Sequence, residues 1–194
     1  MKKYTLLVFL LIGLALFTGC KEIELTDQQK ELLITVNDLS DYIDYDVELE
    51  SCETYKGVKN LDGSIELDYE FDYEKNENNE SPLYISSGIE YDRTVSDAKE
   101  NFKIIVGAFK IGAFLGDKDV KIVKEDNLFN WGDESYCAYM ELDEIKLGNI
   151  FAFRKENKII SLILTGTYFD DKETVSEFLL DKLNAFSEYS ISDD

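Results

Sequence analysis

Ile65-Glu-Leu-Asp-Tyr-Glu-Phe-Asp-Tyr-Glu74 is the most regular stretch of this 194-residue chain. Apolar residues at 65, 67, 69, 71 and 73 alternate with Glu66, Asp68, Glu70, Asp72 and Glu74. Alternate side chains of an extended strand point to opposite faces. A period of two therefore predicts a strand with one apolar face and one wholly acidic face. The apolar face has to be covered, which calls for a sheet with other elements packed on it. Upstream, Asn60-Leu-Asp-Gly63 is a turn signal that links this strand to another at Cys52–Val58. Downstream, Lys75–Ser81 reads as a solvated loop, and Pro82, the only proline, leads into a third strand at Leu83–Tyr91.

Helical patterns lie on either side of these strands. Thr26-Asp-Gln-Gln29 is a capping box, and Leu32, Leu33, Val36 and Leu39 recur at helical spacing, which predicts a first helix over 27–40. A polar and aromatic loop follows at Asp41–Asp46. Val95, Ala98, Phe102, Ile105, Phe109 and Ala113 mark the buried face of a second helix, capped by Thr94 or Ser96 and stopped at Gly116. Strands are expected at Val120–Lys124, Ser135–Leu142, Ile150–Arg154 and Ile159–Thr165. The last two are apolar throughout, as central strands covered on both faces are. Asp170–Glu173 opens a third helix with Val175, Phe178, Leu179, Leu183 and Phe186 inward, followed by a frayed tail at 187–194. The order α-β-β-β-α-β-β-β-β-α, with hairpin-sized connections, predicts an α+β fold: a mostly antiparallel sheet with packed helices, in one domain over 26–189. In element order it resembles the PsbP/Mog1-like α/β sandwich. That resemblance implies a binding or assembly role of one kind or another.

The N-terminus has a different character. Lys2 and Lys3 precede the apolar run Leu6–Phe17, and Thr18-Gly-Cys20 closes it. A charged start, a short apolar core and small residues at the end make a secretion signal. As a helix the run is roughly 18 Å long, too short for a ~30 Å hydrocarbon core. Phe17-Thr-Gly-Cys20 resembles the lipobox of bacterial lipoproteins, with Phe17 where Leu is usual and Leu16 beside it. The resemblance implies cleavage before Cys20 and a diacylglycerol on its sulfur. Residues 1–19 are then the signal peptide, 20–25 a lipidated tether, and the location a bacterial envelope membrane.

Charge and composition bound the function. The chain has 20 Lys+Arg and 41 Asp+Glu; removing residues 1–19 takes away Lys2 and Lys3 only, leaving 18 − 41 = −23. Such a surface repels nucleic acid and anionic headgroups, and it suits solubility or a basic partner. Anchoring then falls to the lipid, and stable anchoring takes about two acyl chains, which a diacylglyceryl group supplies. There is no His. That removes Ser-His-Asp and Cys-His nucleophilic sites, HExxH zinc sites and His proton shuttles. Arg93 and Arg154 are the only arginines that can clamp an anion in bidentate fashion.

Four groups are candidate sites. Cys20 is the lipid attachment residue. Glu66, Asp68, Glu70 and Asp72 form an acidic face, expected to be exposed. Carboxylates on alternate strand residues lie ~7 Å apart, too far to share one ion unaided; no metal site is expected there, and no cofactor. Cys52 and Cys137 remain once Cys20 is acylated, an even number in an oxidising compartment. A bridge closing that loop would be worth roughly 4 kcal/mol; two separate thiols are the other reading. Tyr42, Tyr45, Trp131, Tyr136 and Tyr168-Phe169 either cap the core or stack a ligand. The expectation is a lipid-anchored protein without catalytic activity that binds or assembles at the membrane surface. The alternatives are an inhibitor or immunity protein for a basic toxin and a small carboxylate-based glycosidase.

Overall fold

The computed structural model describes residues 20–43, 52–73, 83–116 and 120–190. The expectations for the signal segment, for the loops at 44–51 and 74–82, for Tyr45 and for the last four residues lie outside them. The described strands are β1 (Lys21–Ile23), β2 (Glu53–Lys59), β3 (Ile65–Tyr73), β4 (Leu83–Tyr91), β5 (Lys121–Lys124), β6 (Glu134–Leu142), β7 (Ile145–Lys155) and β8 (Lys158–Thr165). The helices are α1 (Asp27–Leu32), α2 (Val95–Gly116) and α3 (Lys172–Glu188), with a 3₁₀ turn at Val36–Leu39. The fold is α+β. All eight strands pair antiparallel in the order β1-β2-β3-β4-β8-β7-β6-β5.

The alternation in β3 works as the sequence predicts. Leu67, Tyr69 and Phe71 are buried on one face, against α1, the 3₁₀ turn and α3. Leu83, Ile85 and Ile89 of β4, Phe151 and Phe153 of β7 and Leu162 and Leu164 of β8 continue that face. Each such side chain contributes about 1.5–3 kcal/mol on burial. The opposite face carries a smaller core, where Phe102, Ile105 and Phe109 of α2 meet Ile150, Ala152, Ile159 and Ile163. The apolar strands β7 and β8 sit centrally and are covered on both sides. Val95 is an exception to the predicted stripe of α2: it is exposed. Thr94 caps that helix through Asp97 N–H at 3.1 Å. Asp171, one residue later than the predicted start, caps α3 through Thr174 N–H at 2.8 Å.

Two local predictions fail. Helix 27–40 is broken after Leu32, although its capping box is present. Ile34-Thr-Val36 is a β-branched run, poorly suited to a helix, and its backbone bonds go to the sheet instead. Ile34 N–H donates to Ser87 Oγ at 3.0 Å and Val36 N–H to Tyr69 Oη at 3.1 Å. The second failure is the tether. Residues 21–23 form β1 on the edge of the sheet, with Lys21 opposite Lys59 and Ile23 opposite Gly57. Gly57 admits this strand by having no side chain. A Cβ there would come within 2.7 Å of Leu25 Cδ1 and 2.9 Å of the Ile23 carbonyl oxygen. Among the described residues the first strand thus begins directly after Cys20.

Gly148 and Gly107 give a paired test. A Cβ at 148 would lie 1.9 Å from the Leu164 carbonyl oxygen, whereas a Cβ at 107 meets nothing within 4 Å. Gly148→Ala is expected to cost about 3 kcal/mol or more through backbone displacement between β7 and β8. Gly107→Ala, inside α2, is expected to gain about 0.5–1 kcal/mol. Urea titration of both variants checks the two signs.

Candidate functional site

Cys20 is exposed, and its Sγ donates to Asn60 Oδ1 at 3.1 Å. Asn60 opens the β2–β3 turn. Its backbone N–H donates to the Ser64 carbonyl at 2.9 Å, and its side-chain amide donates to Glu66 at 2.7 Å. Gly63 supplies the positive φ of +91° that the turn requires. Asp62 accepts from Ser64 N–H and Oγ, and these bonds hold its carboxyl below the ordinary range. The turn is therefore fixed, and Leu61 at its tip is 78% exposed. Cys20, the turn and the start of the sheet form one rigid edge.

The acidic face lies on the half of the sheet that α2 leaves open. Only Asp68 of the four predicted carboxylates is exposed; Glu66, Glu70 and Asp72 are half-buried, which corrects the expectation that all four are open. Neighbouring strands account for the difference. Glu66 faces Val58 of β2 and Glu90 of β4, and Asp68 faces Lys56 and Gly88. Gly88 leaves room for Asp68, whose Oδ1 lies 3.3 Å from where a Cβ at 88 would sit. Burial, then the charge of Glu66, pushes the Asp68 carboxyl up, with Lys56 opposing.

Glu90 completes the cluster. Burial, then Glu66, Asp92 and Asp68, pushes its carboxyl up to about 8. Asp92, just beyond β4, is buried and raised to about 6, chiefly by burial. Its Oδ1 accepts from Asn101 of α2 at 2.7 Å, and Oδ2 has no hydrogen-bond partner among the described residues. Glu66 and Glu90 are directly opposed, and their repulsion adds to burial in raising Glu90. Among the described residues, no three Asp, Glu, Cys or His side chains are placed to hold one metal ion.

The other candidates have structural roles. Four strands separate Cys52, at the start of β2, from Cys137 in β6, and no disulfide joins them. Adjacent strands are about 4.8 Å apart, while a bridge needs Cα atoms within about 7 Å. The disulfide expectation is corrected accordingly. Cys137 is buried in the main core, donates to the Phe129 carbonyl at 3.2 Å, and has its thiol pushed up to about 12 by burial. Arg154 is also committed. Its buried guanidinium binds Glu134, Asp133 at 3.0 Å and the Glu156 carbonyl at 2.8 Å. Trp131 packs on Phe153 and Phe186, Tyr42 on Phe169 and Phe178, and Tyr136 on Phe109. Tyr168 packs on Tyr139, with the Lys146 ammonium 4.2 Å above its ring centroid. An open depression of about 620 Å³ runs along α3 beside Lys172, Glu173, Ser176, Glu177, Leu180 and Asp181, all on one helix face.

Sequence reasoning missed Glu90 and Asp92. Glu90 lies on the even-numbered face of the third predicted strand and Asp92 just beyond its end, but only the β3–β4 register brings Glu90 beside Glu66. Comparison with protein-family models, with curated proteins and with solved structures gave no match.

These carboxylates have a pH consequence. Glu90, Asp68 and Asp92 bind protons more tightly in the fold than in the unfolded chain. Their contribution is fully present below about pH 4 and is lost as pH rises through about 6 to 8. Asp62, Asp133 and Asp171 shift downward and act below about pH 4, outside this window. Wild type is expected to lose stability between pH 5 and 8. Glu90→Gln is expected to reduce that loss by on the order of 1–2 kcal/mol, as read from urea titrations at the two pH values.

Proposed function

We propose that this chain is a bacterial lipoprotein: residues 1–19 are removed, Cys20 carries a diacylglycerol, and the domain works at an envelope membrane without catalysing a reaction. The observation that carries the reading is the position of Cys20. Its exposed sulfur lies at the end of an edge strand, directly after the charged and apolar leader. A thioether-linked lipid needs an open sulfur, and this residue offers one. Among the described residues no helix is long and apolar enough to cross a membrane, so attachment in this reading rests on the lipid.

The role at the membrane is binding or assembly, in keeping with the PsbP/Mog1-like element order. The open, acidic half-sheet favours a basic protein partner, and an inhibitor or immunity role against a basic toxin is the sharper form of that reading. Rows of like charge raise association rates with an oppositely charged partner at low salt. Glycoside hydrolysis has less support, because its paired carboxylates must flank a cleft, and these lie on an open sheet. The acidic excess gives nucleic acid no purchase.

Metabolic labelling with a fatty acid tests the anchor. Wild type is expected to take up label and run as the shorter mature form. Cys20→Ser is expected to take up none and accumulate as the precursor. Equal label in the two would overturn the proposal.

A further inference from the structure

We infer that the end of the sheet carrying Cys20 is a membrane-contact surface, with Leu61 inserted in the bilayer beside the lipid. The inference rests on the anchor reading and adds orientation to it. A lipoprotein on a flexible tether can tumble above its membrane. Here β1 begins at Lys21 and is paired with β2 from its first residue. No spacer separates the sulfur from the sheet. Acylation removes the S–H that donates to Asn60, but the pairing of Lys21 with Lys59 still holds the sulfur beside the turn that carries Leu61.

The chemistry of this end suits a bilayer. Leu61 is 78% exposed and Val95, at the start of α2, is 44% exposed. Arg93 reaches the same turn, its Cδ 4.0 Å from the site of a Cβ at Gly63. Lys21 and Lys59 stand directly opposite each other across the β1–β2 ladder, and no ion pair joins either to a carboxylate among the described residues. Like charges so placed repel, and headgroup phosphates relieve the repulsion. Lys21, Lys59 and Arg93 offset in part the acids of this end, Glu22, Asp62, Glu66, Asp92 and Asp97, in a chain whose segment 20–194 carries −23 by the count above. Screening limits the reach of each charge to about 8 Å, so most of the negative charge of the chain does not act on the membrane.

Ile145 provides an internal control. It is 64% exposed and lies at the opposite end of β7 from Lys155, the end that aligns with Cys20 through the strand registers. The test uses full-length protein made in bacteria, purified in its lipid-bearing form and reconstituted into phosphatidylcholine vesicles with brominated acyl chains. Leu61→Trp and Ile145→Trp are compared by fluorescence quenching, with wild type giving the Trp131 background. The added indole at 61 is expected to be quenched at least twofold more than the one at 145, with a blue-shifted emission. Equal quenching at both sites, or none at 61, in vesicle-bound protein whose mass includes the lipid overturns the inference and leaves the anchor standing. A mass without lipid on Cys20 overturns the anchor and, with it, the seat built on it.

Discussion

A row of carboxylates cannot be buried under a helix without severe desolvation, and that constraint shapes this molecule. In β3 every second side chain is acidic, and the partner strand adds Glu90 on the same face. The helix on that side, α2, therefore settles over β7, β8 and β6, where Ala138, Ile150, Ala152, Ile159 and Ile163 provide an apolar bed. The opposite face has no such restriction. There α1, the 3₁₀ turn and α3 share one continuous core that runs from β3 to β7. One face is closed and the other half open, and the open half is where the charge collects.

The same asymmetry separates structure from function. Residues able to do chemistry in principle are spent on the fold: Arg154 ties the β6 and β7 strand ends together, and Cys137 fills the core. Lys182 bonds the Glu31 and Leu33 carbonyls and pairs with Asp38, which pins α3 to the interrupted first helix. Carboxylates on the half-sheet that α2 leaves uncovered and the exposed Cys20 are outside these structural roles, and the proposed binding role draws on them.

Local patterns in the sequence were legible wherever one element's own period decided the outcome. The alternation of 65–73 and the stripes of α2 and α3 were readable because each buries a face defined by its own side chains. Features that depend on distant partners were not. Lys21-Glu-Ile23 is too short to signal a strand, and only the space above Gly57 makes it one. The helix break at Leu33 depends on hydroxyls from Ser87 and Tyr69, which no local pattern reveals. Glu90 joined the acidic site only through register, and Cys52 and Cys137 were separated only by strand order. The partial burial of Glu66, Glu70 and Asp72 followed from the same neighbours.

We propose a mature chain that starts at Cys20, bearing lipid, with the first described strand beginning at the next residue. Intact mass analysis of the N-terminal peptide from envelope-extracted protein addresses it most directly. The account predicts a peptide that begins at Cys20 and carries the mass of a thioether-linked diacylglycerol. A peptide retaining Thr18 and Gly19, or one with an unmodified thiol at Cys20, would contradict it.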